Sequence, residues 1–161
     1  MKATVTLPVV WLLPDGTFSD DTVAAKPCIL MGFTLEASET GRYREADVKR
    51  VYGHIDTGCD CTAVEESLLG GVALKPRRSI SVTTVNSFAA ADVHRATLLF
   101  FGPYQNLAQD TEFAAVPATN NPYKIILGRS FLQQARFTYN GAKGIDMITI
   151  TKAEGPTSLS S

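Results

Sequence analysis

The chain reads as an all-β fold, a closed or partly closed sheet of short strands. Three observations lead there. Runs of β-branched and apolar residues are short, and some alternate with period two, as in Ser79-Ile80-Ser81-Val82-Thr83-Thr84-Val85. Turn-forming clusters separate them, as at Pro14-Asp15-Gly16-Thr17 and Thr119-Asn120-Asn121-Pro122. Helical periodicity never extends beyond one or two short segments.

Taken in order, residues 4–13 are β-branched and apolar and predict one strand, followed by the turn at 14–17. Residues 18–27 are polar with little periodicity and suit a hairpin arm or a lead segment. Residues 28–37 read as a mostly buried strand, residues 38–47 as a charged hairpin loop, and residues 48–55 as the next strand. Residues 62–64 form another, and residues 65–70 a helical turn stopped by Gly70-Gly71. Residues 79–85 and 92–101 predict a β-hairpin with Asn86-Ser87-Phe88-Ala89-Ala90-Ala91 at its tip. Residues 102–111 read as a loop, with strands at 112–118 and 123–127. Residues 129–135 suit a short helix that turns Phe131 and Leu132 to the core. Strands at 136–139 and 145–150 flank Asn140-Gly141-Ala142-Lys143-Gly144, a hairpin loop. The expected organisation is an arm over 1–27, a domain over 28–150 and a flexible tail over 151–161.

With 45% hydrophobic residues, this 161-residue chain has enough apolar material for a real core. The net charge of −1 and the absence of any Lys/Arg run exclude nucleic acid as an expected partner. No apolar run is long enough to span a bilayer, so no membrane partner is expected. The start, Met1-Lys2 then residues 7–13, imitates a signal peptide only faintly. Three cysteines, two of them one residue apart, do not make a disulfide framework. A reducing, cytoplasmic location is the simpler expectation. Cys28 reads as a small buried hydrophobe.

The most informative stretch is Val51-Tyr52-Gly53-His54-Ile55-Asp56-Thr57-Gly58-Cys59-Asp60-Cys61-Thr62-Ala63-Val64. An apolar strand delivers a carboxylate, Asp56, into a tight polar turn. A carboxylate at the end of a core strand is costly unless it is hydrogen-bonded or shares a proton, so the placement points to a chemical use. Gly58 lets the backbone turn back and aim an N–H at that carboxylate. His54 reads as a strand residue with a satisfied hydrogen bond.

Together with Ile125-Ile126-Leu127-Gly128-Arg129, this stretch resembles the retropepsin-like aspartic proteases. That family carries Asp-Thr-Gly-Ala-Asp-Asp/Ser-Thr at its active site and an apolar-apolar-Gly-Arg segment before a short helix. This chain has Asp56-Thr57-Gly58-Cys59-Asp60-Cys61-Thr62 and Ile126-Leu127-Gly128-Arg129. The resemblance spans residues ~28–150 and implies a closed β-barrel or sandwich with a flap hairpin. It implies an aspartic endopeptidase, needing no cofactor or metal, that hydrolyses peptide bonds with a water activated by two carboxylates. Only one Asp-Thr-Gly is present: Asp15-Gly16 lacks the Thr, and Asp110-Thr111-Glu112 lacks the Gly. The second carboxylate is therefore expected from another copy in a homodimer.

By position, the resemblance makes Asp56 the catalytic acid/base. Thr57 would hydrogen-bond across the two copies, and Gly58 would contact the carboxylate through its backbone. Asp60 would bind substrate main chain, with Arg129 as its ion-pair partner. Ile126, Leu127 and Gly128 would buttress the loop. Val85, Asn86, Ser87, Phe88 and Ala89 would be flap residues against a peptide or protein substrate, the protein's own precursor being one candidate. The flap tip is usually glycine-rich in that family, and this one has no glycine. A catalytically inactive dimerisation or peptide-binding module on the same fold is the alternative. A zinc site from His54, Asp56, Cys59 and Cys61 is a weaker rival, because Cys-x-Cys is not a usual zinc spacing. A serine or cysteine hydrolase is weaker still, because nothing marks His54 or His94 as a base.

Overall fold

The computed structural model describes residues 2–35, 43–71, 74–83, 88–140 and 145–159. Among them, strands dominate and one short α-helix, α1 (Arg129–Leu132), is present, with 3₁₀ turns at Glu45–Asp47 and Glu66–Leu69. The strands are β1 (Thr4–Pro8), β2 (Val10–Leu12), β3 (Lys26–Thr34), β4 (Lys49–Ile55), β5 (Ala63–Glu65) and β6 (Arg78–Thr83). They continue with β7 (Phe88–Phe101), β8 (Asn106–Val116), β9 (Ile125–Leu127), β10 (Ala135–Thr138) and β11 (Met147–Thr151). No helix among the described residues is long and apolar enough to cross a membrane.

The larger sheet runs β2-β3-β4-β9-β5-β8-β7-β6, and a further β3–β7 pairing joins its two ends. Six strands, β3-β4-β9-β5-β8-β7, therefore close on themselves, while β2 and β6 flank the ring. Closure needs the β3 and β7 backbones close together at Gly32, opposite Leu99. A Cβ added to Gly32 would sit 3.0 Å from the Leu99 Cβ and 2.8 Å from Val48 Cγ1, so any side chain there would push the seam apart. A second sheet, β1-β11-β10, is antiparallel throughout.

Inside, alternate residues of the strands meet in one apolar cluster that includes Ile29, Met31, Phe33, Ile55, Leu98, Phe100, Phe113, Ile125, Leu127 and Ile148. Phe33 meets Phe113 edge-on at 5.9 Å, and Phe100 stacks on Phe131 at 5.3 Å. Phe131 is fully buried, which contributes roughly 1.5–3 kcal/mol. Through it, α1 is anchored beneath the site described below.

Several sequence expectations need correction. The strand expected over 4–13 is two strands in two sheets. The chain changes sheet at Val9, whose N–H donates to the Asp146 carbonyl at 2.8 Å, after Pro8, which has no N–H to give. The Asp146 carboxylate holds this crossing, taking bonds from Trp11 Nε1 at 2.7 Å and Asn140 N–H. The loop expected over 102–111 is mostly strand, since β8 begins at Asn106. Its inward residues Gln109 and Thr111 are polar and so disguise the alternation. Both are buried, and Gln109 bonds the Gly155 carbonyl and the Ala153 N–H. Where a loose tail was expected, Thr157 bridges to Thr111, and Leu159 is buried against Cys61, Ala91, Val93 and Ala114. The helix expected over 129–135 ends at Leu132, with Phe131 buried as anticipated, and Ala135 already belongs to β10.

Candidate active site

β4 delivers Asp56 and β5 leaves after it, and β9 lies between the two. β4 pairs with β9 in parallel, Ile55 opposite Leu127, while β5 pairs with β9 antiparallel. The loop over 56–62 thus arches across the end of β9, above the start of α1. Ile55 and Leu127 are buried in the core, so the last apolar step of the strand sets where the carboxylate emerges. The Asp56 N–H donates to the Leu127 carbonyl at 3.1 Å, continuing the strand pairing by one bond. The carboxylate itself is 35% exposed. Gly58 N–H donates to Asp56 Oδ1 at 2.9 Å, and Cys59 N–H donates to the Asp56 carbonyl at 3.2 Å. Thr57 and Gly58 are exposed.

The segment 127–130 grips this loop from below. Arg129 N–H donates to the Cys59 carbonyl at 2.8 Å, and Ser130 N–H to the Asp60 carbonyl at 2.9 Å. Ser130 Oγ accepts from Thr62 N–H at 3.1 Å and lies 3.2 Å from Thr62 Oγ1. Gly128 runs directly under the loop: a Cβ there would stand 2.1 Å from the Cys61 carbonyl oxygen and 3.0 Å from that of Cys59. Leu127, Gly128 and Arg129 therefore all touch the loop. Ile126 instead turns its side chain to the opposite face, packing with Tyr52, Cys28 and Tyr123.

The expected Asp60–Arg129 ion pair is absent among the described residues. Arg129 Nη1 donates to the Thr57 carbonyl at 2.7 Å, which directs the guanidinium to the turn backbone. Ser130 and Thr62 were not singled out in the sequence. The short spacing from Gly128 and Arg129 was the available signal for Ser130.

A cleft of about 580 Å³ opens beside the loop, lined by Asp60, Cys61, Arg78, Ser79, Ile80, Ser81, Val82 and Thr83. It thus joins the loop to β6, the first strand of the expected flap hairpin. Arg78 ion-pairs with Glu112 on β8 and donates from Nη2 to the Leu159 carbonyl at 2.7 Å, which anchors the base of that wall. Phe88 and Ala89 lie on β7 opposite Thr83 and Val82, not in a hairpin tip, and both are exposed. They do not line the cleft. Val85, Asn86 and Ser87 lie outside the described residues.

Two titratable groups, His54 and Cys59, feel the Asp56 charge, and Cys61 lies beside Cys59. His54 is buried, its ring 4.8 Å from that of Tyr123, and its Nδ1 lies 4.0 Å from Asp56 Oδ2 without a hydrogen-bond partner. The satisfied hydrogen bond expected for it is not made at that atom. Burial holds the imidazole pKa below its usual value, the Asp56 charge opposes this, and Lys26 reinforces it. The Cys59 thiol is drawn down to about 7, chiefly by the hydrogen bond with the Cys61 thiol. Cys61 is pushed up by that same bond and by burial. Cys59 Sγ, a carboxylate oxygen of Asp60 and Cys61 Sγ lie within 4.8 Å of one another. The zinc set weighed from the sequence included His54 and Asp56, neither of which belongs to this group.

No protein-family model matches the chain, and no curated protein matches it in sequence. Among solved structures, it is similar to a retropepsin-like aspartic protease from Rickettsia conorii, at 10% identity and a TM-score of 0.47, over 95% of this chain and 97% of that one. It is also similar to the Simian Foamy Virus (mac) protease, at 18% identity and a TM-score of 0.40, over 65% of this chain and 91% of that one.

Proposed function

We propose that this chain is an aspartic endopeptidase that works as a homodimer, with one Asp56 from each subunit. The observation that carries this reading is the half-exposed Asp56 carboxylate at the end of a core strand, with Gly58 N–H on Oδ1 and the loop locked by Leu127, Arg129 and Ser130. A single such loop per chain makes two copies necessary. Exposed Thr57 and Gly58 leave the turn open to a second copy.

Two carboxylates brought together cannot both ionise, so one keeps a proton. The ionised Asp56 takes a proton from water as the water oxygen attacks the peptide carbonyl carbon. The protonated Asp56 gives its proton to the carbonyl oxygen, producing a tetrahedral gem-diol. On collapse the C–N bond breaks, a gem-diol hydroxyl gives its proton back to the now ionised second Asp56, and the first Asp56 gives the proton it took from water to the leaving amine nitrogen. Asp60, at the cleft edge, holds the substrate main chain, and the β6 residues Ile80 and Val82 supply an apolar wall.

The test is cleavage of a peptide library by wild type and by Asp56→Asn, together with mass in solution. Loss of general acid–base catalysis predicts a roughly 10²–10⁴-fold slower rate for Asp56→Asn. Undiminished cleavage by the variant sinks the catalytic assignment, and a monomeric mass under conditions that support cleavage sinks the two-copy arrangement. Peptide binding without cleavage by wild type favours the inactive binding module instead.

A further inference from the structure

The proposed mechanism uses neither Cys59 nor Cys61, yet both lie on the loop that presents Asp56. Their sulfurs are within 4.8 Å of each other, with Asp60 between them in sequence. They are unlike in setting. Cys59 is partly exposed, whereas Cys61 is buried against Ala91, Val93, Ala114 and Leu159. One sulfur is thus open to a small oxidant, and the other waits beside it. Cys28, the remaining cysteine, is wholly buried on β3, and burial pushes its thiol up to about 12, so it is inert by comparison.

The backbone around the pair is tied to the site. Cys59 N–H bonds the Asp56 carbonyl, and the Cys59 carbonyl accepts Arg129 N–H. The Cys61 carbonyl lies against Gly128 with no room for even a methyl group, and the Cys59 thiol donates to that same carbonyl at 3.1 Å. Drawing the sulfurs into a bond rotates both side chains and bends the intervening peptide. Those hydrogen bonds couple any such movement to Asp56, and Asp60, between the two cysteines, lines the cleft.

We propose that Cys59 and Cys61 form a reversible disulfide under peroxide, and that this bridge disables the cleft and the Asp56 loop. The regulatory half of the proposal rests on the peptidase reading above, while the bridge itself does not. In the first step the Cys59 thiolate attacks hydrogen peroxide, the O–O bond breaks, hydroxide leaves, and Cys59 becomes a sulfenic acid. In the second step the Cys61 sulfur attacks the Cys59 sulfur, the S–O bond breaks, and the Cys61 proton leaves with the hydroxyl as water. Overall, two thiols and one peroxide yield one disulfide and two waters. Two equivalents of a small thiol reverse the change. The Cys61 thiol beside it draws the Cys59 pKa down to about 7, so the thiolate of the first step forms near neutral pH once Cys59 gives up its bond to the Cys61 carbonyl.

The experiment uses the full chain, reduced and then exposed to hydrogen peroxide. Intact mass should fall by two hydrogens, with the bridge mapped to the tryptic peptide that begins at Val51, and dithiothreitol should restore it. In Cys61→Ser and Cys61→Ala, oxidation should stop at the Cys59 sulfenic acid, trapped by dimedone. Hydrogen exchange over residues 56–62 should change on bridging, and peptide cleavage should drop by about tenfold or more and recover on reduction. Thiols that stay reduced, or oxidation that goes to Cys28 or to links between chains, overturn the bridge. A bridge that leaves both exchange over 56–62 and cleavage unchanged overturns the switch. If the reduced protein cleaves nothing, the peptidase reading fails on its own, and mass and exchange still decide the bridge and the loop movement.

Discussion

The loop over 56–62 and the hairpin of β6 and β7 form two sides of one cleft, and they are held in opposite ways. The loop is tied along its length: Asp56, Thr57, Cys59, Asp60 and Thr62 each receive or give a hydrogen bond to the segment 127–130. Among the described residues, the polar anchors of the hairpin lie near its base, where Arg78 meets Glu112 and the Leu159 carbonyl, and further out Ile80 and Val82 pack only half-buried against the cluster of Cys61, Ala91 and Leu159. At its outer end Thr83, Phe88 and Ala89 face solvent, Phe88 being 79% exposed. A reactive carboxylate profits from a geometry set before substrate arrives. On the proposed peptidase reading, a wall that admits a peptide profits from few fixed contacts beyond its anchor.

The largest effect that would break this contrast is expected at Gly128. Gly128→Ala drives a methyl group into the Cys61 carbonyl and should cost about 3 kcal/mol, at the upper end of overpacking penalties, measured by urea unfolding. A loss below about 0.5 kcal/mol would mean that the loop is not wedged as described. Arg78→Ala comes next. It leaves Glu112, itself buried, without its partner, but Arg78 is partly exposed, so about 2 kcal/mol is expected. Reversion of most of that loss in Arg78→Ala/Glu112→Gln would show that the unpaired carboxylate, not the lost packing, was responsible.

A pH experiment sharpens the loop side of the comparison. The His54 pKa is lowered in the folded protein, so the unfolded chain takes up a proton first on acidification. Its contribution to stability is complete above about pH 6.5 and is lost as pH falls from there through the lower, folded value. The difference in melting temperature between wild type and His54→Phe should therefore shift against wild type from pH 7 to pH 5. A pH-independent difference would show that the imidazole does not titrate with folding. Phe88→Ala is the smallest expected change. At an exposed hairpin position it should move stability by less than about 0.5 kcal/mol, while any effect on peptide cleavage falls on KM. A large loss of stability there would contradict the contrast drawn above.

Much of the site was legible because its residues are contiguous. Asp56, Gly58 and the apolar strand before them announce a carboxylate in a tight turn, and the Gly58 N–H is where that turn requires it. Gly128 was expected as a support through the resemblance alone, and the folded chain supplies the physical reason: a Cβ there would stand 2.1 Å from the Cys61 carbonyl oxygen. Arg129 was read in the right place with the wrong partner: its guanidinium serves the Thr57 carbonyl, which no residue pattern advertises. β8 was half missed because Gln109 and Thr111 face inward as polar groups, and their partners lie beyond residue 150. Ile80 was hidden as an ordinary residue of an alternating strand, and Arg78 stood just outside that strand as expected from the sequence, until β6 was set against Asp60.

Local chemistry alone was enough to predict an all-β chain, its turns and the carboxylate in the Asp56 turn, because strand alternation and turn preference act over a few neighbouring residues. Ring closure through the β3–β7 seam, the arch of the loop over β9, the Arg78–Glu112 anchor and the burial of Cys61 against Ala91, Val93, Ala114 and Leu159 came from the folded arrangement. Each of these depends on which distant strand lies alongside, and that choice is made by the shared burial of the whole core rather than by any one segment.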